Sequence, residues 1–140
     1  CSSDLKTQKT IRKLLHEWFR NDLMGVPGDE DGGGMSSFVV FSSMGFYPVT
    51  PGLPGYSIGS PVFTQVKIHL GNGKIFEIDA RNASFDNKYI QSARLNGKKL
   101  DSHWFGHADL ANGGKLVLEM GNKANYGWGN VSKEVDPDAK

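Results

Sequence analysis

Five apolar residues, Ile11, Leu14, Leu15, Trp18 and Phe19, fall at i, i+3, i+4, i+7 and i+8. That spacing lays one apolar stripe along a helix of about 12 to 15 residues. Thr7 stands where an N-cap belongs, and Asn21 and Gly25 stand where the helix should stop. Lys9, Arg12, Lys13, His16 and Glu17 take the other faces. The stripe is too wide for a lone helix to leave in water, so this helix is expected to dock onto another surface. Gly25-Val26-Pro27-Gly28 reads as a turn. Met35 to about Gly45 reads as a second helix, apolar or small on nearly every side, as in a helix buried among others. Its β-branched pair, Val39-Val40, leaves a strand as the alternative. Phe46-Tyr47-Pro48 ends it.

The period then changes. Pro48 to Pro61 holds four of the six prolines, and residues 51–61 read as a Pro/Gly-rich connection, a linker or an ordered, rigid join. Val62 to Leu70 alternates as a half-buried strand, Asn72-Gly73 turns it, and Lys74 to Ala80 returns. Tyr89 to Leu95 and Lys99-Leu100 flank a second Asn-Gly turn at Asn96-Gly97. Lys115 to Met120 is a further strand after Asn112-Gly113-Gly114. Residues 62–122 therefore read as an antiparallel β-domain in which all three Asn-Gly pairs are hairpin chemistry. From Gly121 onward the chain is polar and Gly-rich, and residues 123–140 are expected to form a disordered tail.

At 140 residues this is one domain or two small ones. The net charge is +1 with both signs spread along the chain, which argues for neither a nucleic-acid nor a membrane-surface partner. No apolar run reaches membrane-spanning length, and no signal-peptide pattern opens the chain. Cys1 is the only cysteine, so no intrachain disulfide can form. Cys-Ser-Ser-Asp could open a mature lipoprotein, or Cys1 could be an internal residue of a longer protein. The helix begins so soon after Cys1 that almost no tether is left, which favours the second reading.

Candidate chemistry gathers in Gly28-Asp29-Glu30-Asp31-Gly32-Gly33-Gly34. Like charges this close repel and gain nothing for a core. The glycines leave the loop without side-chain walls, so a ligand could approach the backbone. Carboxylates on a loop held between regular elements suit a hydrolytic site; an idle, solvated turn is the bland alternative. An EF-hand is rejected. Asp29, Asp31 and Gly34 fit, but Gly33 offers no oxygen at the fifth position and Val40 stands where a bidentate Glu is needed. His103 and His107 are four apart but sit in a β region and are expected to hydrogen-bond across a loop, not to hold a metal. Trp104, Phe105, Tyr126 and Trp128 could stack on sugars, though core packing or edge cover suits the first two better. The Gly-Lys pairs lack the spacing of a phosphate loop.

The order Gly28-Asp29-Glu30-Asp31, Gly33, Met35-Ser36, Phe41-Ser42 and Met44-Gly45-Phe46-Tyr47-Pro48-Val49 closely resembles a signature of glycoside hydrolase family 92, the calcium-dependent exo-α-mannosidases. Lys6-Thr7-Gln8, the Gly25–Gly28 turn, Pro51-Gly52 and Tyr56-Ser57-Ile58-Gly59-Ser60-Pro61-Val62-Phe63 match as well, so the resemblance spans nearly all of residues 6–121. It implies an α+β chain: the last helices of an (α/α)6 barrel, residues 1–50, followed by the small antiparallel β-domain, at the C-terminal end of a much longer enzyme. It also implies hydrolysis of terminal α-linked mannose, α-1,2 above all, with inversion and with the help of Ca2+. The partners are then α-mannoside glycans and the remainder of the enzyme, and the apolar helix face is a candidate for self-association of the isolated chain. Export to the periplasm or cell surface, as a lipoprotein if Cys1 is lipidated, goes with that reading.

Carried onto this chain, the acidic motif supplies the general base. Asp31 is assigned that role, Asp29 is its partner or alternate, and Glu30 is a lesser candidate for a sugar contact. Asp29 and Asp31 point the same way if the loop is extended, with Glu30 turned aside. The general acid and the principal calcium ligands lie upstream. The chain departs from the family pattern at Gly32, Gly34 and Ser37-Phe38, which bears on the sugar contact, the linkage accepted and catalysis itself. A non-catalytic carbohydrate-binding or structural β-module, or an inactive relative, is the rival reading.

Overall fold

Glycines bracket the second helix, and they explain its bounds. α2 runs Gly34–Met44 and stops at Gly45, whose φ of 97° is left-handed and whose N–H donates to the Phe41 and Ser42 carbonyls. That is a common helix terminator, and a side chain there is strained. The strand alternative falls. A computed structural model describes residues 2–129 of the chain.

α1 runs Ser2–Glu17, so Thr7 lies inside it and is not the N-cap, and Trp18 and Phe19 lie beyond its last residue. The docking row is also shifted from the expected stripe. It begins at Leu5 and Gln8, which are 8% and 1% exposed. It continues through the half-buried Ile11, Arg12 and Leu15. Trp18 is 56% exposed. α2 is not enclosed on every side either: Ser42 is its one buried residue and Val40 is exposed.

The first sheet has three antiparallel strands in the order β1 (Phe46–Tyr47), β2 (Gly55–Ile58), β7 (Trp104–Gly106). β2 grows out of the Pro/Gly-rich connection, which is therefore ordered. The second sheet has the order β3 (Gln65–His69), β4 (Ile75–Arg81), β8 (Gly114–Gly121), β5 (Tyr89–Leu95), β6 (Lys98–Lys99). β4 pairs with β8 in parallel, so the sheet is mixed and not wholly antiparallel. Alternation reports which face is buried and carries nothing about strand direction.

Asn72-Gly73 and Asn96-Gly97 do close hairpins, β3–β4 and β5–β6. Asn112-Gly113 instead joins β8 to a short helix, α3 (His107–Ala111). The two sheets meet through aromatic rings: Phe76 of β4 stacks on Phe105 of β7 at 5.6 Å and 15°, and within the first sheet Phe46 supports Phe105 edge-on. The stretch after β8 packs as well. Trp128 is 7% exposed and its Nε1–H donates to the Leu100 carbonyl at 2.8 Å. Asn125 Nδ2 donates to the Gln91 carbonyl at 2.7 Å. The tail expected over 123–140 is thus ordered to Gly129, and its remainder, 130–140, lies outside the described residues.

Gly45 also lies against Pro61: a Cβ at position 45 would sit 2.7 Å from the Pro61 Cβ. Gly45→Ala therefore adds a clash to a left-handed backbone. The expected loss is about 1–3 kcal/mol, read as a lower urea midpoint at unchanged m; an unchanged midpoint would refute this contact.

One face of the mixed sheet carries an ion-pair network. Lys115 Nζ lies 2.8 Å from Glu77 Oε1 and 3.1 Å from Asp79 Oδ2, and Arg81 reaches Glu119 at 2.9 Å. Hydrogen bonds from Lys115 and then Gln65 hold the Glu77 carboxyl below its ordinary range. Bonds to Glu77 and then Asp79 raise the Lys115 ammonium. The stability due to Glu77 is present above the ordinary carboxylate pKa and is lost as pH falls through its depressed folded value. That due to Lys115 is present below the ordinary lysine pKa and is lost as pH rises through its raised value. Urea unfolding against pH should fall at both ends. Glu77→Gln should flatten the acid limb, and an acid limb unchanged by it would contradict the linkage.

Candidate active site

Two turns carry the chain from α1 to α2. The first closes on itself: Arg20 N–H donates to the Gly25 carbonyl at 2.9 Å and Gly25 N–H to the Asp22 carbonyl at 3.0 Å. A Cβ at position 25 would fall 1.8 Å from the Arg20 carbonyl oxygen, so only glycine fits. The second turn is the acidic loop. Asp31, Gly32 and Gly33 have φ of 42°, 72° and 95° in succession. Aspartate visits the left-handed region more readily than most residues, and glycine does so without cost. The loop is wound at Asp31 and not extended, so strand alternation does not set the directions of Asp29 and Asp31. The Gly32 departure suits this conformation.

Glu30 is turned aside, and it has a task there. Its Oε1 accepts the Ser36 N–H at 3.0 Å. Ser36 is the third residue of α2, one of the helix-start N–H groups that lack an intrahelical partner. Gly33, at the N-cap, has no side chain to satisfy it. The Glu30 carboxylate also faces the positive end of the helix dipole. Asp29 and Asp31 are exposed, and among the described residues neither has a hydrogen-bond or ion-pair partner.

Phe38, another departure, packs between Phe19 at 5.8 Å and Tyr47 at 6.0 Å, so it joins α2 to the segment just after α1 and to β1. Beside the loop lies an open, largely apolar groove of about 440 Å³, lined by Phe19, Arg20, Val26, Met35, Ser36 and Val40 among others.

Calcium takes 6–8 oxygen ligands. Among the described residues no three carboxylate, histidine or cysteine groups converge, and Glu30 is engaged by Ser36. The described residues by themselves do not bring such a donor set together. His103 and His107 do not converge: His103 Nδ1 meets the Gly129 carbonyl at 3.1 Å, and His107 Nδ1 meets the Tyr56 hydroxyl at 2.8 Å. The His103 contact ties two loop segments together, whereas His107 opens α3 and joins it to Tyr56 of β2, so it lies neither in a β region nor across a loop. Phe105 is core at 2% exposure, Trp104 is half-buried, Trp128 is buried and Tyr126 is exposed.

Sequence reasoning passed over Arg12 and Gln8. The Gln8 Oε1 accepts the Ile90 N–H at 2.9 Å, 82 residues away. The Arg12 guanidinium donates to the Pro61 and Ser84 carbonyls. Their i, i+4 spacing was visible, but polar residues at that spacing ordinarily mark a solvated face.

Residues 1–122 match the model of the glycosyl hydrolase family 92 catalytic domain. A secreted glycosidase of Arthroderma benhamiae is 43% identical over an alignment of 134 positions that covers 92% of this chain and 17% of that protein. Among solved structures, an inverting GH92 mannosidase of Bacteroides thetaiotaomicron superposes with a TM-score of 0.85 at 41% identity, over 91% of this chain and 17% of the other. A GH92 α-mannosidase of the same species gives 0.84 at 36% identity, over 89% of this chain and 17% of the other. The chain thus spans about a sixth of the length of these relatives. A family match over nearly the whole β-bearing chain, with the acidic loop and both flanking helices inside it, shows that the chain belongs to glycosyl hydrolase family 92.

Proposed function

We propose that this chain is the C-terminal part of a longer, inverting exo-α-mannosidase and that its acidic loop supplies the general base. On this reading Asp31 takes a proton from the attacking water and Asp29 is its partner. The division of labour in the loop carries the assignment. Glu30 is spent on capping α2, whereas Asp29 and Asp31 are exposed and uncommitted. Inversion needs a base on the face opposite the leaving group and an acid on the other side, far enough apart to admit the water. The acid and the calcium ligands belong to residues outside this chain. The substrate is terminal α-linked mannose, α-1,2 first, and the relative called secreted supports export.

The test is hydrolysis of an α-1,2-linked mannobiose by the full-length enzyme, followed by proton NMR. β-Mannose should appear before mutarotation. α-Mannose first would overturn inversion, and no release would overturn the enzyme reading. This chain alone should release no mannose, because a base without its acid loses the leaving-group proton. It should also self-associate, although of the α1 stripe only Trp18 is exposed, and the other exposed apolar side chains in this region are Leu23, Met24, Val26 and Val40, the five being 49–103% exposed. Mannose release by the chain alone, or a strict monomer at high concentration in sedimentation, would count against this division.

A further inference from the structure

We infer that Arg12 is a positioning residue for the acidic loop, fixing α1 to the same stretch of backbone that holds the far end of α2. The inference rests on the proposed role of Asp31. Arg12 is half-buried and, among the described residues, has no carboxylate partner. Its two terminal nitrogens reach two carbonyls, Pro61 and Ser84, that lie 49 and 72 residues away in the chain. A planar fork makes such a pair of bonds, and a lysine ammonium at the end of a flexible stem does not reproduce it. One turn earlier Gln8 makes a buried bond to Ile90, so α1 is indexed on the β-domain at two points.

Pro61 is the shared element. Its ring lies against Gly45, the C-cap of α2. Val62 N–H donates to the Ser43 carbonyl at 3.0 Å and Gly59 N–H to the Gly45 carbonyl at 2.8 Å. Residues 59–62 therefore grip the end of α2 and receive Arg12 from α1. The acidic loop lies at the other end of α2. An 11-residue helix is about 16 Å long, so a pivot of about 5° at Gly45 shifts the loop by about 1.4 Å. A misplacement of about 1 Å can cost on the order of 10²-fold in rate. Phe19, two residues past the end of α1, packs on Phe38 near the middle of α2, so a shift of α1 is passed to α2 there as well.

The experiment uses the full-length enzyme. Arg12→Met should lower kcat about 10- to 100-fold with KM changed less than about 3-fold. Arg12→Lys, which keeps the charge and one reachable carbonyl, should recover part of the loss. Lys13→Met, on the same helix but in an exposed pair with Glu17, should turn over at the wild-type rate. Arg12→Met/Asp31→Asn should be no slower than Asp31→Asn alone, because a base that is gone cannot be misplaced. A folded Arg12→Met with wild-type kcat, or losses that multiply in the double variant, would overturn the inference. Should Arg12→Met not fold, Arg12→Lys decides: an intermediate kcat supports it and a wild-type kcat refutes it. Asp31→Asn at full rate would instead overturn the base assignment and leave the Arg12 kcat effect to be judged on its own.

Discussion

Asp31→Asn is expected to lower turnover of the full-length enzyme by about 10²- to 10⁴-fold while leaving the fold intact. The amide is nearly isosteric but cannot take a proton from water. Asp31 has no hydrogen-bond or ion-pair partner among the described residues, so its replacement breaks no such contact and unfolding is not the expected cause. Asp29→Asn should cost as much if the two share the role, and less if Asp29 only orients the water. Glu30→Gln is the internal control. The glutamine oxygen can still accept the Ser36 N–H, and the lost charge at the start of α2 costs about 0.3–1 kcal/mol. Turnover should therefore change little. If Glu30→Gln is the crippled variant and Asp31→Asn is tolerated, the base has been assigned to the wrong residue. Calcium affinity belongs in the same series, because activity restored by excess calcium would mean that these carboxylates position the metal.

Phe76→Ala should destabilise the protein by about 3–5 kcal/mol, a large share of the total stability of about 5–15 kcal/mol that is usual for a domain. The ring is fully buried and stacks on Phe105, which in turn touches Phe46 and Tyr56. It therefore sits at the seam of the two sheets, where backbone relaxation on one side cannot close the cavity. Ile78→Val, one pleat along β4 and 1% exposed, removes a single methylene and should cost about 0.5–1.5 kcal/mol. Urea unfolding followed by tryptophan fluorescence measures both. A loss below 1 kcal/mol at Phe76 would show that the two sheets do not depend on each other through this contact.

Local chemistry was enough for the elements that local chemistry specifies. Gly34–Met44 has glycines where a helix must start and stop, and it was legible to within a residue. The hairpins at Asn72-Gly73 and Asn96-Gly97 followed from backbone preference. β4 and β8 showed their buried faces by alternation: Phe76, Ile78 and Ala80 on one strand, Leu116, Leu118 and Met120 on the other. The acidic loop and its carboxylates were plain in the residue order, and so was the family.

Partnership across the chain was decided only by the tertiary structure. That β4 and β8 lie parallel depends on the route taken through β7 and α3, and alternation has no sense of direction. That Glu30 caps α2 while Asp29 and Asp31 stay exposed depends on the left-handed winding of residues 31–33, which a row of three acids does not reveal. Trp128 became ordered by reaching Leu100 from a segment whose composition reads as a loose tail. Arg12 and Gln8 looked like solvated helix residues until the β-domain brought Pro61, Ser84 and Ile90 to them. A residue's type and spacing fix what bonds it can make; which distant backbone group arrives to make them is set by packing, and packing is a property of the whole chain.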